Sequence, residues 1–567
     1  MTVTDQGAAF SSTLPPLAIP PRQAAEAARL ALTRPHPLNL AETVVGHLAR
    51  RAAHTPDALA VVHKESRLTC ADLLTHVYAL RKELTERGCK PGDVIACSGL
   101  RSATTLALFL ALESLGAVYL PVDPTWPQSR TATVLQRSGA ALLAAYLPSN
   151  ASAESLRAAA LLADVPILSV ELSAPSAEGR LHHEARAFTW PEKCADASEA
   201  RYVFYTSGTT GVPKGALNEH QGMVNHLWAK VLDHGLTPSD VIAFSAPLVF
   251  DISIWQMLVP ALAGSVMVVV DDADVHFPRR LVTELAVRQV TVLEAVPTLL
   301  RMLTEEVARG RVDLSALRWV ISTGEELLPS TAADLIDALP GVEVSNAWGF
   351  TETSDDLTHH VVRGADLSGR RLPVGSPVVN ACLYVLVEAE DGAWRAAAPG
   401  EIGEIFVGGV AVCRGYLQDP AATKGAFHRD VIDPSSPTGR LHRSGDAGVI
   451  RDGLLYYLGR LDRQVKVKGV RMELGEIEAV LACHHSVAQC AVVVVDEGTE
   501  RELVACYVSS GASTEGAVLA TELQDHVRLI LPEAMVPLRW VSFLSLPLNG
   551  NGKVDHKKLQ RMLSGRS

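Results

Sequence analysis

The spacing of apolar and polar positions predicts helices alternating with strands along most of the chain. Helical spacing marks residues 41–53 and 71–87, the second ended by Gly88 and Pro91. A strand at 94–98, a helix at 104–115 and a strand at 118–122 follow, with further apolar strands at 241–244, 266–270 and 290–295. Such alternation implies an α/β architecture with largely parallel sheets. Residues 1–38, broken by Pro15, Pro16, Pro20, Pro21, Pro35 and Pro37, read as a loose arm with a helix at 22–32. An Ala-rich stretch near 140–165 reads as helix and loop.

After about Gly400 the texture changes. Short strands at 404–407, 455–458 and 464–467 lie between Gly-rich turns, as in a β-rich subdomain. The last hundred residues read as a compact α+β unit, with helices at 476–482 and 521–530 and strands at 491–495 and 503–508.

At 567 residues the chain exceeds what one core organises, so several domains are expected. A net charge of −12 argues against general nucleic-acid binding. The cysteines are scattered, with no Cys-x-x-Cys pair, which fits a reducing compartment. The N-terminus lacks a signal-peptide pattern, and no apolar run reaches the length of a membrane span. A soluble, cytoplasmic protein is expected.

The strongest chemical signal is the segment YTSGTTGVPKG at 205–215. Gly208, Gly211 and Gly215 let the backbone turn tightly; Thr206, Ser207, Thr209 and Thr210 add hydroxyl donors, and Lys214 adds a charge. Small residues with successive free N–H groups make an anion-binding concavity, and its natural occupant is a phosphate chain. The spacing is not that of a P-loop, in which Ser or Thr directly follows the lysine. The loop is expected to hang between strands, without a helix dipole. Further segments concentrate polar residues: NAWGFTET at 346–353, with a tight glycine turn and a lone acid, HRSGDAG at 442–448, GRLDRQVKVKGVRMELGEIE at 459–478 and NGNGKVDHKKL at 549–559.

Together these segments resemble the adenylate-forming superfamily, and specifically the amino-acid adenylation domains of nonribosomal peptide synthetases. The resemblance runs from about residue 40 to 560. It includes RLTCADLL at Arg67, GAVYLPVDP at Gly116, FDIS at Phe250, GEIGEIFVGGVAVCRGYL at Gly400 and LPEAMVP at Leu531. It implies a large N-terminal domain of two sheets and a distorted barrel over residues 39–461. A small mobile α+β lid follows over 462–567, hinged at Asp462.

The implied cofactors are ATP and Mg2+. Thr206, Ser207, Gly208, Thr209, Thr210, Gly211 and Lys214 would wrap the β- and γ-phosphates. Trp348 and Gly349 would lie at adenine, with Asn346 and the Gly324 backbone at its edge. Asp446 and Arg460 would meet the ribose, and Thr351 and Glu352 would stand at the phosphates, Glu352 as the magnesium-associated acid. This chain has Phe350 where the family usually has proline. Lys553 would bridge the substrate carboxylate and ATP oxygens in the first half-reaction. In the second, the lid would rotate and bring the loop at Lys468 and Gly469 to the adenylate, for attack by a phosphopantetheine thiol. The chain ends at Ser567, so a carrier protein acting in trans is expected; an MbtH-like helper stays open.

By the same resemblance the amino-acid pocket is lined by Asp251, Ile252, Trp255, Glu294, Ile321, Thr323, Ala347, Asp355, Asp356 and Lys553. Asp251 matches the acid that pairs with the substrate ammonium. Glu294, Asp355 and Asp356 add three acids, and clustered buried acids need cations. A basic substrate, guanidino or diamino, is therefore expected, with Trp255 limiting pocket length or stacking on the cation. A small polar or β-amino acid is the rival. Within the superfamily an acyl-CoA synthetase or an amide ligase are alternatives; outside it, an inactive scaffold.

Overall fold

The computed structural model describes residues 13–147, 151–170, 179–206, 213–310, 312–461, 463–497, 500–510, 516–548 and 554–564. Two sheets face each other across a shared core. The nine-stranded sheet runs, edge to edge, through Ser376–Pro377, Asp355–Val361, Glu343–Phe350, Trp319–Ser322, Val292–Ala295, Val241–Phe244, Val266–Val269, Leu59–His63 and Ser66–Thr69. Its central pairs are parallel and its outermost pairs antiparallel. The six-stranded sheet runs through Ile167–Ser169, Leu142–Tyr146, Val94–Gly99, Val118–Pro121, Ala200–Thr206 and Lys214–Glu219, and only the last pair is antiparallel.

Five helices fill the space between the sheets: Val44–His54, Cys70–Glu86, Ala103–Leu115, His220–His234 and Ile252–Ala263. Ala103–Leu115 is apolar on nearly every side and buried from Thr105 to Glu113, as a helix enclosed on all faces must be. The helix Cys70–Glu86 starts at a capping box: Thr69 Oγ1 accepts from Asp72 N at 3.1 Å, and the Thr69 amide donates to Asp72 Oδ2 at 3.0 Å. Thr69→Ala is expected to cost about 1 kcal/mol, read as a lower urea midpoint at unchanged slope.

A third, antiparallel sheet of seven strands includes Ala381–Glu388, Gly403–Gly409, Arg440–Arg451 and Leu454–Arg460. Glu219, at the end of its strand, ties the six-stranded sheet to this one. Arg414 Nε donates to it at 3.1 Å and Arg440 at 2.6 Å, all three residues being buried. The C-terminal region is a two-stranded hairpin (Gln464–Val467, Val470–Glu473) and a three-stranded sheet (Val487–Glu497, Glu500–Ser509, Arg539–Ser542), with helices Leu474–Ala482, Gly516–Arg528 and His556–Ser564.

Three local expectations change. From Thr13 onward the N-terminal segment is docked, not loose. Leu14 and Leu17 are buried, the helix Pro21–Leu30 packs Ala24 and Ala27 against Trp394 and Phe406, and Leu32–Thr33 pairs with Ala381–Glu388. Prolines delimit that helix rather than prevent it, since Pro21 stands at its first position. The Ala-rich stretch holds a strand, Leu142–Tyr146, besides its helix Ala151–Ala163. Burial between Val94–Gly99 and Ile167–Ser169 overrides the helical preference of alanine. Gly349 does not make a tight turn. It lies in the strand Glu343–Phe350 at a bulge, where a Cβ would meet the Asp355 carbonyl oxygen at 2.1 Å.

Candidate active site

The candidate residues gather where the parallel strands of the nine-stranded sheet end, the usual ligand crevice of an open α/β sheet. Glu294 lies near the end of Val292–Ala295, Ile321 near the end of Trp319–Ser322, and Thr323 and Gly324 just beyond it. Ala347, Trp348 and Gly349 come from the neighbouring strand, and Asp355 and Asp356 open the next. Asp251 caps the helix Ile252–Ala263, its Oδ1 accepting from the Ile252 amide at 3.0 Å. Trp255, Ile321 and Ala347 belong to one buried apolar cluster.

Burial raises the Asp251 carboxyl above the usual range, against the pull of neighbouring Thr351 and of Lys466. Thr351 and Glu352 form a short 3-10 turn after the strand. Both Glu352 oxygens are engaged: Oε1 accepts from Tyr416 Oη at 2.8 Å and Oε2 from Arg471 at 2.7 Å. Burial opposes ionisation, but Arg471, then His442 and the hydrogen bond from Tyr416, hold Glu352 down to about 2. Lys214 Nζ lies 5.5 Å from the centre of the Tyr416 ring.

On the barrel side, Asp446 Oδ1 accepts from Arg460 at 3.0 Å, and Arg460 also donates to the Ser444 carbonyl at 2.7 Å. Asn346 Nδ2 donates to the Pro373 carbonyl at 2.9 Å. Trp348 packs edge-on to Phe350 at 5.4 Å and faces Tyr457 at 6.3 Å. Phe350 also lies 5.2 Å from the His442 ring, so the residue that departs from the family pattern becomes part of the aromatic wall. Gly324 adopts φ +83°, and a Cβ there would sit 3.1 Å from Val296.

The phosphate loop is bounded by an antiparallel pair, with Thr206 opposite Lys214. Ser207, Gly208, Thr209, Thr210 and Gly211 lie outside the described residues, as do Asp462 and Lys553. Two bounds of the Lys553 segment are described: Leu548 bridges Val554, and the Asp555 amide donates to Pro547 at 2.7 Å.

The acids expected to line the substrate pocket are not uncompensated, which corrects the premise drawn from their clustering. Lys230, fully buried, donates to Glu294 Oε1 at 2.9 Å and to Asp356 Oδ2 at 2.6 Å. Its ammonium also lies 4.9 Å from the centre of the Trp255 ring, the place expected for a substrate cation. Trp255 Nε1 donates to Glu294 Oε2, and Thr323 Oγ1 donates to Asp356 Oδ1 at 2.7 Å. Burial disfavours the ammonium, yet Asp356 and Glu294 outweigh it and keep Lys230 charged. Burial pushes the Glu294 carboxyl well up, whereas Lys230 holds Asp356 far below the usual carboxylate range against its own burial. One ammonium is thus shared by two buried carboxyl groups. Asp355 stands apart, with His226 Nε2 at 3.1 Å from its Oδ2. Burial and then Asp356 and Asp251 push Asp355 up; burial and then Lys230 push His226 down to about 4.

Sequence reasoning missed Lys230 and His226 because they come from the helix His220–His234, outside the motifs. A signal existed: His226, Lys230 and His234 recur every four residues, a polar line along a buried helix. It also missed Arg471, Tyr416 and Lys466. Lys466 acts by charge on Asp251, Asp356 and Asp446 from the C-terminal hairpin.

Glu352, expected at the magnesium ion, has one hydrogen-bond donor on each oxygen, Tyr416 on Oε1 and Arg471 on Oε2, and each oxygen keeps a further lone pair. Among the described residues no group of three or more His, Cys, Asp or Glu is set to hold a metal.

Residues 48–417 match the family model of AMP-binding enzymes, and residues 476–553 match the model of the AMP-binding enzyme C-terminal domain. The chain therefore belongs to the AMP-binding enzyme family and is an adenylation domain of the adenylate-forming superfamily. Phosphinothricin tripeptide synthetase PhsB of Streptomyces viridochromogenes is 33% identical over 93% of this chain and 42% of its own length. The chain thus spans less than half of that relative. Among solved structures, a four-domain nonribosomal peptide synthetase bound to AMP and glycine is similar at 27% identity and TM-score 0.65, covering 94% of this chain and 37% of that one. The amide bond synthetase McbA from Marinactinospora thermotolerans is similar at 25% identity and TM-score 0.77, covering 91% of this chain and 99% of that one.

Proposed function

We propose that the protein activates an amino acid as its aminoacyl adenylate and passes the acyl group to the phosphopantetheine thiol of a carrier protein. The observation that carries this reading is the convergence of the expected substrate and nucleotide residues where the parallel strands of the nine-stranded sheet end, with Thr323 hydrogen-bonded to Asp356 and Asp356 paired in register with Gly349 beside Trp348. A substrate held by Asp251 presents its carboxylate toward the phosphates. That carboxylate is already ionised near neutral pH, so no general base is required. Its oxygen bonds to the α-phosphorus of ATP, and the bond to the departing pyrophosphate breaks. What must be supplied is positioning and charge stabilisation between anions. Thr206 and Lys214 serve the phosphates, Trp348 and Asp446 the nucleoside, and Lys553 the reacting carboxylate. In the second step the thiol sulfur bonds to the acyl carbon, AMP leaves, and the thiol proton passes to solvent.

The likeness to McbA favours a second reading, in which the acyl group goes to an amine and an amide forms. Carrier loading and amide formation are separable by mass spectrometry. The nine cysteines are all unpaired, which supports a reducing compartment such as the cytoplasm. No helix among the described residues is long and apolar enough to cross a membrane. The basic test is amino-acid-dependent ATP–pyrophosphate exchange. Exchange with at least one amino acid is expected, and a protein that binds ATP yet exchanges with none would be a scaffold.

A further inference from the structure

The acids expected to line the substrate pocket already hold a cation that belongs to the protein. Lys230 reaches Glu294, Asp356 and the face of Trp255, and these contacts engage its ammonium on three sides. Glu294 is held by Lys230 and the Trp255 indole, and Asp356 by Lys230 and Thr323. A long cationic side chain reaching those acids would meet an ammonium already in place, and two cations at contact distance repel.

Asp355 differs in three ways. Its side chain is 8% exposed, and its Oδ2 makes no hydrogen bond among the described residues. The neighbouring His226 Nε2 is likewise without one, although the two atoms lie 3.1 Å apart. Its backbone is held at φ +95°, after Ser354 at φ +61°. A non-glycine residue is kept in that region only when surrounding structure imposes it, and such residues cluster at ligand-binding positions. Here the imposing neighbour is Gly349, whose missing side chain lets the Asp355 carbonyl come close. The charge of Asp251 also pushes the Asp355 carboxyl up, and the adenylation reading places both acids in the amino-acid pocket.

We propose that Lys230 is a specificity-determining residue that fills the deep end of the pocket as a built-in counter-ion. Asp355 is then left to read a second amine set close to the α-ammonium of a short diamino acid. The α-ammonium pairs with Asp251 and the side-chain ammonium with Asp355. Arginine and lysine are excluded because the acids they would need are already bound to Lys230. This inference rests on the adenylation reading and narrows its substrate.

The test is an exchange panel of 2,3-diaminopropionate, 2,4-diaminobutyrate, lysine, arginine, alanine and serine with the full chain. The wild-type protein is expected to favour one of the two short diamino acids at least tenfold over alanine, lysine and arginine. Asparagine tolerates positive φ, so Asp355→Asn keeps the backbone while removing the charge. It is expected to lower the diamino-to-alanine ratio more than tenfold. Lys230→Met is expected to raise the ratio of lysine or arginine to the short diamino acids at least tenfold, because Glu294 and Asp356 lose their cation. A wild-type preference for neutral or for long basic amino acids overturns the proposal, as does an Asp355→Asn variant with an unchanged ratio. Absence of exchange across all amino acids would overturn the adenylation reading itself.

Discussion

Lys553→Ala is expected to lower amino-acid-dependent ATP–pyrophosphate exchange by about 10²–10³-fold, the usual cost of removing one donor aimed at developing charge. The first half-reaction brings a carboxylate against a polyphosphate, and a point charge on a flexible stem can follow both. The bridge between Leu548 and Val554 closes the base of the segment that carries Lys553. The helix His556–Ser564 follows directly, with Leu559 and Leu563 buried against the three-stranded sheet. Lys557 is exposed on that helix and supplies the control: Lys557→Ala should leave exchange unchanged. A Lys553→Ala protein that exchanges within about threefold of wild type would falsify the assignment.

Arg471→Ala should separate the half-reactions. The Arg471–Glu352 pair joins the C-terminal hairpin to the large domain, with Arg471 also donating to Gln464 at 2.6 Å. The Gly469 amide adds a second link, donating to Glu325 at 2.7 Å. These contacts bring the Lys468–Gly469 loop to the large domain, as expected for the thioester-forming step. Breaking a buried ion pair costs about 3–5 kcal/mol, and a population shift of about 3 kcal/mol is roughly a hundredfold. Carrier loading by the mutant should therefore fall by about 10²-fold, with a much smaller change in exchange. Equal losses in both assays would instead place Arg471 at the chemistry of the first step.

Much of the architecture was legible because strands buried in parallel sheets read as apolar runs. The strands Val241–Phe244 and Gln464–Val467 fall where the pattern puts them, and the helix Ala103–Leu115 differs by one residue. Local errors came where packing outweighed preference, as in the strand Leu142–Tyr146. The site was legible where motifs are contiguous, as from Asn346 to Thr353. It was not legible where partners meet across the fold. Lys230 is separated from Asp356 by 126 positions, and Arg471 from Glu352 by 119. The acids could be listed from the sequence, but their counter-charge could not, since no motif contains Lys230. For the same reason the hydrogen bonds of Glu352 with Arg471 and Tyr416 were invisible.

The hairpin tip that meets the large domain turns through two residues with positive φ, Lys468 at +50° and Gly469 at +78°. A Cβ on Gly469 would come within 2.6 Å of Val296. That seam has room for a hydrogen atom and nothing larger, so any other residue at 469 would act as a doorstop. In the proposed two-step cycle such a protein would be expected to form the adenylate and to fail at the thioester step.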